Sequence, residues 1–341
     1  MTPDFRLAVL NPGGRDPQQL FPEGAGAPDE RAHPPVNYHA FAACTRGGFY
    51  RRDQDIPGDY RHVLLLLRRD LKASRQALVE LRAAGRTVVI AWKEAGAFQI
   101  AALLEKPALL QLFREISERA DGAIATTPDL VPFFVGAGVR AAEFIPTPYP
   151  VDDTRWDLSV PVAERRGIFV GTREFDTASR RHLAALLSIR ALAEPMQETV
   201  TVFNVDGWRG RRLLDRLRWP EGLLRVIEGR MPYPRYLEQM ARHKLVWQLD
   251  ASLVPGQVAG DALLCRVPCV GGDGTTERLV FPDLCGHGRT VEQLFDLAAR
   301  LVEHPHDCAR VSESALQLAA GRLSYEAISR QLAEFFTRLN R

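Results

Sequence analysis

Short apolar runs recur along the chain, with helical stretches between them. FRLAVL (5–10), HVLLLL (62–67), TVVIAW (87–92), GAIAT (122–126) and AEFIP (142–146) read as strands. They are almost continuous in apolar residues, the pattern of parallel strands covered on both faces. SRQALVELRAAG (74–85) and AFQIAALLEKPALLQLFREISERA (97–120) instead place apolar residues three and four apart, the period of a helix with one buried side. Pro107 predicts a kink or a split in the second of these. Strands alternating with helices of this length imply right-handed crossovers and a doubly wound α/β sheet.

The pattern restarts after PTPYPVDD (146–153), whose closely spaced prolines mark a linker. GIFVGT (167–172), ETVTVFNV (198–205), LLRVIEG (223–229), KLVWQLD (244–250) and PCVGG (268–272) form a second set of strands. Helical patterns lie between them at 179–193, 208–217, 234–243 and 258–266, and two amphipathic segments follow at 290–304 and 325–339. The predicted division is one α/β domain over 1–150, a second over 151–325, and a terminal helix over 326–341. Residues 11–61 are rich in Gly, Pro and Asp and predict long loops around the first strands, where function is often placed.

Composition narrows this picture only a little. The 341 residues carry 44 basic and 42 acidic side chains, a net charge of +2, which offers no electrostatic case for nucleic acid. Arg209, Arg211, Arg212, Arg216 and Arg218 do cluster on one helix. They read first as a solvated face, and at most as a point of peripheral membrane contact. The five cysteines are odd in number and lack zinc-ribbon spacing, so reduced thiols in a cytoplasmic chain are expected. The first residues do not read as a signal peptide, and no apolar stretch approaches a membrane span.

In open α/β sheets ligands sit beyond the carboxyl ends of the strands, at helix amino termini. Four segments occupy such places. Asn11-Pro12-Gly13-Gly14 follows the first strand, where glycine lets the backbone approach an anion or simply turns the chain. Trp92-Lys93-Glu94-Ala95-Gly96 follows the third and could position an acceptor hydroxyl or cap a helix. In Gly171-Thr172-Arg173-Glu174, Arg173 could clamp a diphosphate, with Arg180 or Arg181 adding charge, or pair with Glu174. Gly256, Gln257 and Val258 precede a helix and offer N–H groups to an anion. Asp261 lies in that helix's first turn, and its sensible partners are neutral hydroxyls such as those of a ribose.

Asp261-Ala262-Leu263-Leu264-Cys265-Arg266-Val267-Pro268-Cys269-Val270 resembles a motif of the GT-B glycosyltransferases. The resemblance is in particular to the large retaining family whose second domain carries an acid-x7-acid pattern. Residues 118–152 resemble the end of such an amino-terminal domain, and GIFVGTRE (167–174) the opening of its nucleotide domain. The resemblance implies two Rossmann-like domains facing a cleft, with a sugar nucleotide held mainly by the second. A final helix often crosses back to the first. By position, Asp261 would hold the ribose, Arg173 the diphosphate, and Gly13-Gly14 would near the donor phosphate, with Gly256 and Gln257 beside the sugar. Leu253 stands where the family has its first acid, which contacts the transferred sugar; Asp250 is a candidate replacement.

The expected activity is transfer of a sugar from a nucleoside diphosphate sugar to an acceptor hydroxyl. It needs no metal or further cofactor, because Arg173 and helix N–H groups stabilise the departing diphosphate. Glu94 or His39 could serve as acid or base on the acceptor side. The acceptor is a glycan, a lipid-linked sugar or a small molecule. Leu253 keeps a second reading open, a non-catalytic protein of the same fold that binds a nucleotide sugar or glycan or partners an active transferase. An NAD-dependent oxidoreductase is disfavoured because neither half has G-x-G-x-x-G after its first strand.

Overall fold

The computed structural model describes residues 5–93 and 96–340 and contains two sheets. The first is built from β1 (Leu7–Leu10), β2 (Gln19–Leu20), β3 (Gly48–Tyr50), β4 (His62–Leu67), β5 (Thr87–Trp92), β6 (Gly122–Ala125) and β7 (Ala142–Phe144). Their order is β2-β3-β1-β4-β5-β6-β7, with only the β2–β3 pair antiparallel. The second holds β8 (Ile168–Val170), β9 (Val200–Asn204), β10 (Leu224–Glu228), β11 (Leu245–Gln248) and β12 (Cys269–Gly271). It is parallel throughout, in the order β10-β9-β8-β11-β12. In each sheet the strand order reverses direction beside the first strand, at β1/β4 and at β8/β11.

Helices α1 (Tyr38–Cys44), α2 (Leu71–Ala83), α3 (Ala97–Leu104), α4 (Pro107–Arg119) and α5 (Val131–Gly136) accompany the first sheet. Pro107 opens α4, so the long helical pattern is two helices. Alternation along the strands separates two cores. Ala8, Leu10, Val63, Leu65, Val88 and Ile90 face α2, α3, α4 and α5. Leu7, Val9, Leu64, Leu66, Val89 and Ala91 face the other way. Around the second sheet lie α6 (His182–Met196), α7 (Trp208–Arg216), α8 (Tyr233–Ala241), α9 (Gln257–Leu264), α10 (Thr275–Val280), α11 (Val291–Glu303) and α12 (Pro305–Arg322). They share one continuous core with its strands.

The final helix, α13 (Tyr325–Leu339), belongs to the first sheet. Ile328, Leu332, Phe335 and Phe336 pack with Phe41, Phe49 and the outer residues of β1, β4 and β5. The chain thus crosses between lobes twice, and the crossings touch: Tyr149 N–H donates to the Leu323 carbonyl at 2.8 Å. A further contact joins the lobes: Trp156 Nε1 donates to the Gly26 carbonyl at 2.9 Å. Within the first lobe, Tyr325 Oη donates to the Pro35 carbonyl at 2.9 Å and fixes the start of α13.

Residues 11–61 are largely loop, as expected, with an unbroken stretch at 21–37, but they also hold α1, β2 and β3. Six of the seven residues of α1 are buried. A helix enclosed on nearly all sides has no polar stripe to reveal its period.

Candidate functional site

A cleft of about 200 Å³ opens where the carboxyl ends of β8 and β11 face the first sheet. Gly171, Thr172, Arg173 and Glu174 enter from the turn after β8, and Asp250 and Val254–Val258 from the segment after β11. Asn37, Tyr38 and Lys93 close it from the first lobe. The floor is therefore the point where the second sheet reverses its strand order, the expected ligand position of a doubly wound fold.

Backbone geometry brings α9 to this point. Gly256 has φ +86°, and a Cβ there would lie 2.0 Å from Glu277 Oε2, so only glycine can start the helix in this way. A Cβ on Gly171 would lie 2.4 Å from Val258 Cγ1, and glycine after β8 lets α9 approach. Asn37 Nδ2 donates to Gln257 Oε1 at 3.1 Å, tying the head of α9 to the first lobe.

Because α9 begins at Gln257, Asp261 sits beyond the first turn, where the sequence pattern had placed it. Its carboxylate is buried and accepts from Tyr233 Oη at 2.5 Å. Burial pushes its pKa up from 3.8 to about 7, against the opposing pull of the Tyr233 hydroxyl and the nearby Arg173. The guanidinium of Arg173 lies 5.8 Å above the ring of Tyr236, and among the described residues no carboxylate pairs with it. Arg180 is committed instead. It bonds Asp250 at 2.6 Å and lies 4.0 Å from Glu174.

Of the residues singled out from the sequence, Arg173, Arg180, Gly256, Gln257, Val258 and Asp261 line this one cleft. Gly13 and Gly14 do not. Their loop follows β1, and the Gly14 carbonyl accepts from Arg51 Nε at 2.9 Å. His39 is also elsewhere, buried between the rings of Phe49 and His33 at centroid distances of 3.6 and 3.8 Å. Its desolvation pushes the imidazole pKa down to about 3. Glu94 lies outside the described residues, while Lys93 beside it lines the cleft and pairs with Asp16 at 3.1 Å. Leu253 takes a left-handed φ of +52° and is not among the lining residues.

The sequence pattern missed Glu277, Tyr236 and Gln248. Glu277 lies in the first turn of α10 (Thr275–Val280), shortly after the Gly271-Gly272 pair at the end of β12, and is buried against the cleft. Its Oε1 accepts from Gln248 Nε2 at 2.7 Å. Burial, with the like charges of Asp250 and Asp273, pushes its pKa up to about 7. The glycine pair at a strand end followed by an acid was the available signal.

The chain's one Asp-x-Asp, Asp53-Gln54-Asp55, forms a 3₁₀ turn outside the cleft, with Asp55 bonded to Arg52 at 2.9 Å. Among the described residues no group of three or more His, Cys, Asp or Glu could hold a metal ion. Nor is any described helix long and apolar enough to cross a membrane.

No protein-family model matches the sequence, and a search of curated proteins finds no match. Solved structures do match. Trehalose-6-phosphate synthase OtsA superposes with a TM-score of 0.61 at 12% identity, over 84% of this chain and 73% of that one. An alpha-glucosyltransferase in complex with UDP does so at 0.60 and 9% identity, over 98% and 100%. A glycosyltransferase from Rickettsia africae ESF-5 matches at 0.54 and 9%, over 78% and 80%. The fold is GT-B. The cleft is then the groove between the two GT-B lobes, and the return of α13 to the first sheet completes the architecture.

Proposed function

We propose that this GT-B protein is a glycosyltransferase that moves a sugar from a nucleoside diphosphate sugar to an acceptor hydroxyl without a metal. The observation that carries the reading is the cleft itself. A guanidinium with no carboxylate partner among the described residues, the N–H groups at the head of α9 and a buried carboxylate meet there from segments distant in sequence. Structural neighbours that include a UDP complex support it.

In this scheme Asp261 accepts hydrogen bonds from the ribose hydroxyls, and the diphosphate lies between Arg173 and the N–H groups of Gln257 and Val258. The bond from the anomeric carbon to the diphosphate oxygen breaks with its electron pair passing to the diphosphate. Arg173 and the helix end stabilise the charge that develops. The acceptor oxygen, entering beside Lys93 and Asn37, bonds the anomeric carbon, and its proton passes to the released diphosphate or to water. The acceptor is a glycan, a lipid-linked sugar or a small molecule, and His39 takes no part.

Leu253 supports a second reading, binding of a nucleotide sugar without turnover. One experiment separates them. The protein is incubated with UDP-, GDP-, ADP- and dTDP-sugars, with calorimetry for binding and an assay for released nucleoside diphosphate. Release that disappears in Arg173→Ala supports the transferase, and binding with no release supports the second reading. No binding by any member of the panel refutes both.

A further inference from the structure

We propose that Glu277 grips a hydroxyl of the transferred sugar, an inference that rests on the donor site proposed above. Two features of its surroundings point to a ligand. One carboxylate oxygen is anchored, because Gln248 Nε2 donates to Oε1 at 2.7 Å. The other, Oε2, is buried and has no hydrogen-bond partner among the described residues. A buried acceptor left unmade is costly, and native structures rarely keep one without a use.

The second feature is the set of glycines packed against it. Cβ atoms at Gly256, Gly274 and Gly272 would lie 2.0, 2.4 and 3.0 Å from the Glu277 carboxylate oxygens. Three glycines from two segments thus keep side chains away from one acid, in the wall of the cleft beside the head of α9. Asp250 lies near enough to push the Glu277 pKa up, and Arg180, bonded to Asp250 at 2.6 Å, offsets part of that charge. Held on one side and uncommitted on the other, Glu277 is oriented to accept from a neutral donor. A diphosphate beside the amino end of α9 would place the attached sugar within reach of this wall, and sugar hydroxyls are neutral donors.

The test compares wild type with Glu277→Gln, which keeps the shape and an oxygen for Gln248. Calorimetry is run with UDP and UDP-glucose, or with the first binding pair among the GDP, ADP and dTDP equivalents. The substitution should leave the diphosphate Kd within twofold and weaken the nucleotide sugar about tenfold. Against the deoxy-sugar donor lacking the gripped hydroxyl, the variant and wild type should bind alike. Equal weakening of diphosphate and nucleotide sugar, or no weakening of either, overturns the assignment, since a merely structural role does not distinguish the two ligands. If Glu277→Gln does not fold, Glu277→Asp carries the same comparison, because it withdraws the carboxylate and leaves its charge. Wild type that binds none of the diphosphates refutes the donor site itself. Wild type that binds, with a variant that treats the sugar conjugate as wild type does, refutes only the role of Glu277.

Discussion

Asp261→Asn separates what the carboxylate costs the fold from what it gives the site. The side chain is buried, and its pKa stands at about 7 against an ordinary value of 3.8. Between those values the folded protein keeps a proton that the unfolded chain has released. The stabilisation is therefore complete below about pH 4 and is lost as pH rises through about 7. Between pH 5 and pH 8 the wild type should lose about 2.5 kcal/mol at this group, worked at 1.36 kcal/mol for each tenfold change. Asparagine does not titrate and still offers an oxygen to Tyr233 Oη. Glu277 titrates in the same range but is present in both proteins and cancels. The stability of Asp261→Asn relative to wild type should therefore grow by about 2.5 kcal/mol from pH 5 to pH 8. Urea unfolding followed by the fluorescence of Trp247 and Trp156, both buried in this lobe, reads the difference. At pH 8, where the carboxyl is ionised, nucleoside diphosphate affinity should fall about tenfold in the same variant, the loss of one hydrogen bond to a charged group. A stability difference that stays constant with pH would refute the claim that this carboxyl is held protonated by burial.

Three other perturbations test the geometry. Arg173→Ala should weaken nucleoside diphosphate binding about 10- to 100-fold while barely moving Tm, since charge-assisted contacts are worth about 1.5–3 kcal/mol and the side chain has no carboxylate partner among the described residues; a large drop in Tm would show a structural role instead. Gly256→Ala puts a Cβ 2.0 Å from Glu277 Oε2 at a φ of +86°. It should cost about 1–3 kcal/mol in urea unfolding, together with nucleotide binding. Phe336→Ala removes a fully buried ring from the core under α13 and should cost about 3–5 kcal/mol; a change under about 1 kcal/mol would mean that α13 is not anchored there.

Much of the fold was legible because central strands such as β4 and β5 are buried on both faces, which writes them as unbroken apolar runs. The helix α12 was invisible for the opposite reason. Its buried stripe is Cys308, Ser312, Ala315 and Ala319, small residues that pack closely yet leave little contrast with the exposed side. In the site, Arg173 and Gly256 could be read because ligand positions follow strand ends in a local pattern. Asp261 was placed one position too early in the helix, since a left-handed glycine starts α9 one residue sooner than the apolar period suggests. Tyr233 and Tyr236 look like ordinary members of an amphipathic helix. Their hydroxyls meet Asp261 only because α8 and α9 pack together, which no local spacing encodes.

The return of α13 has a consequence for how the chain is made. About 180 residues separate β7 from the helix that seals the outer face of the first sheet, so in vectorial synthesis that face waits for its cover. Until Tyr325–Leu339 has emerged, the face that holds Leu7, Val9, Leu64 and Leu66 keeps only α1 of its two covering helices, while the intervening lobe can condense alone. The nascent protein should thus acquire its halves in reverse of their order of translation, with a chaperone the natural guardian of the half that comes first.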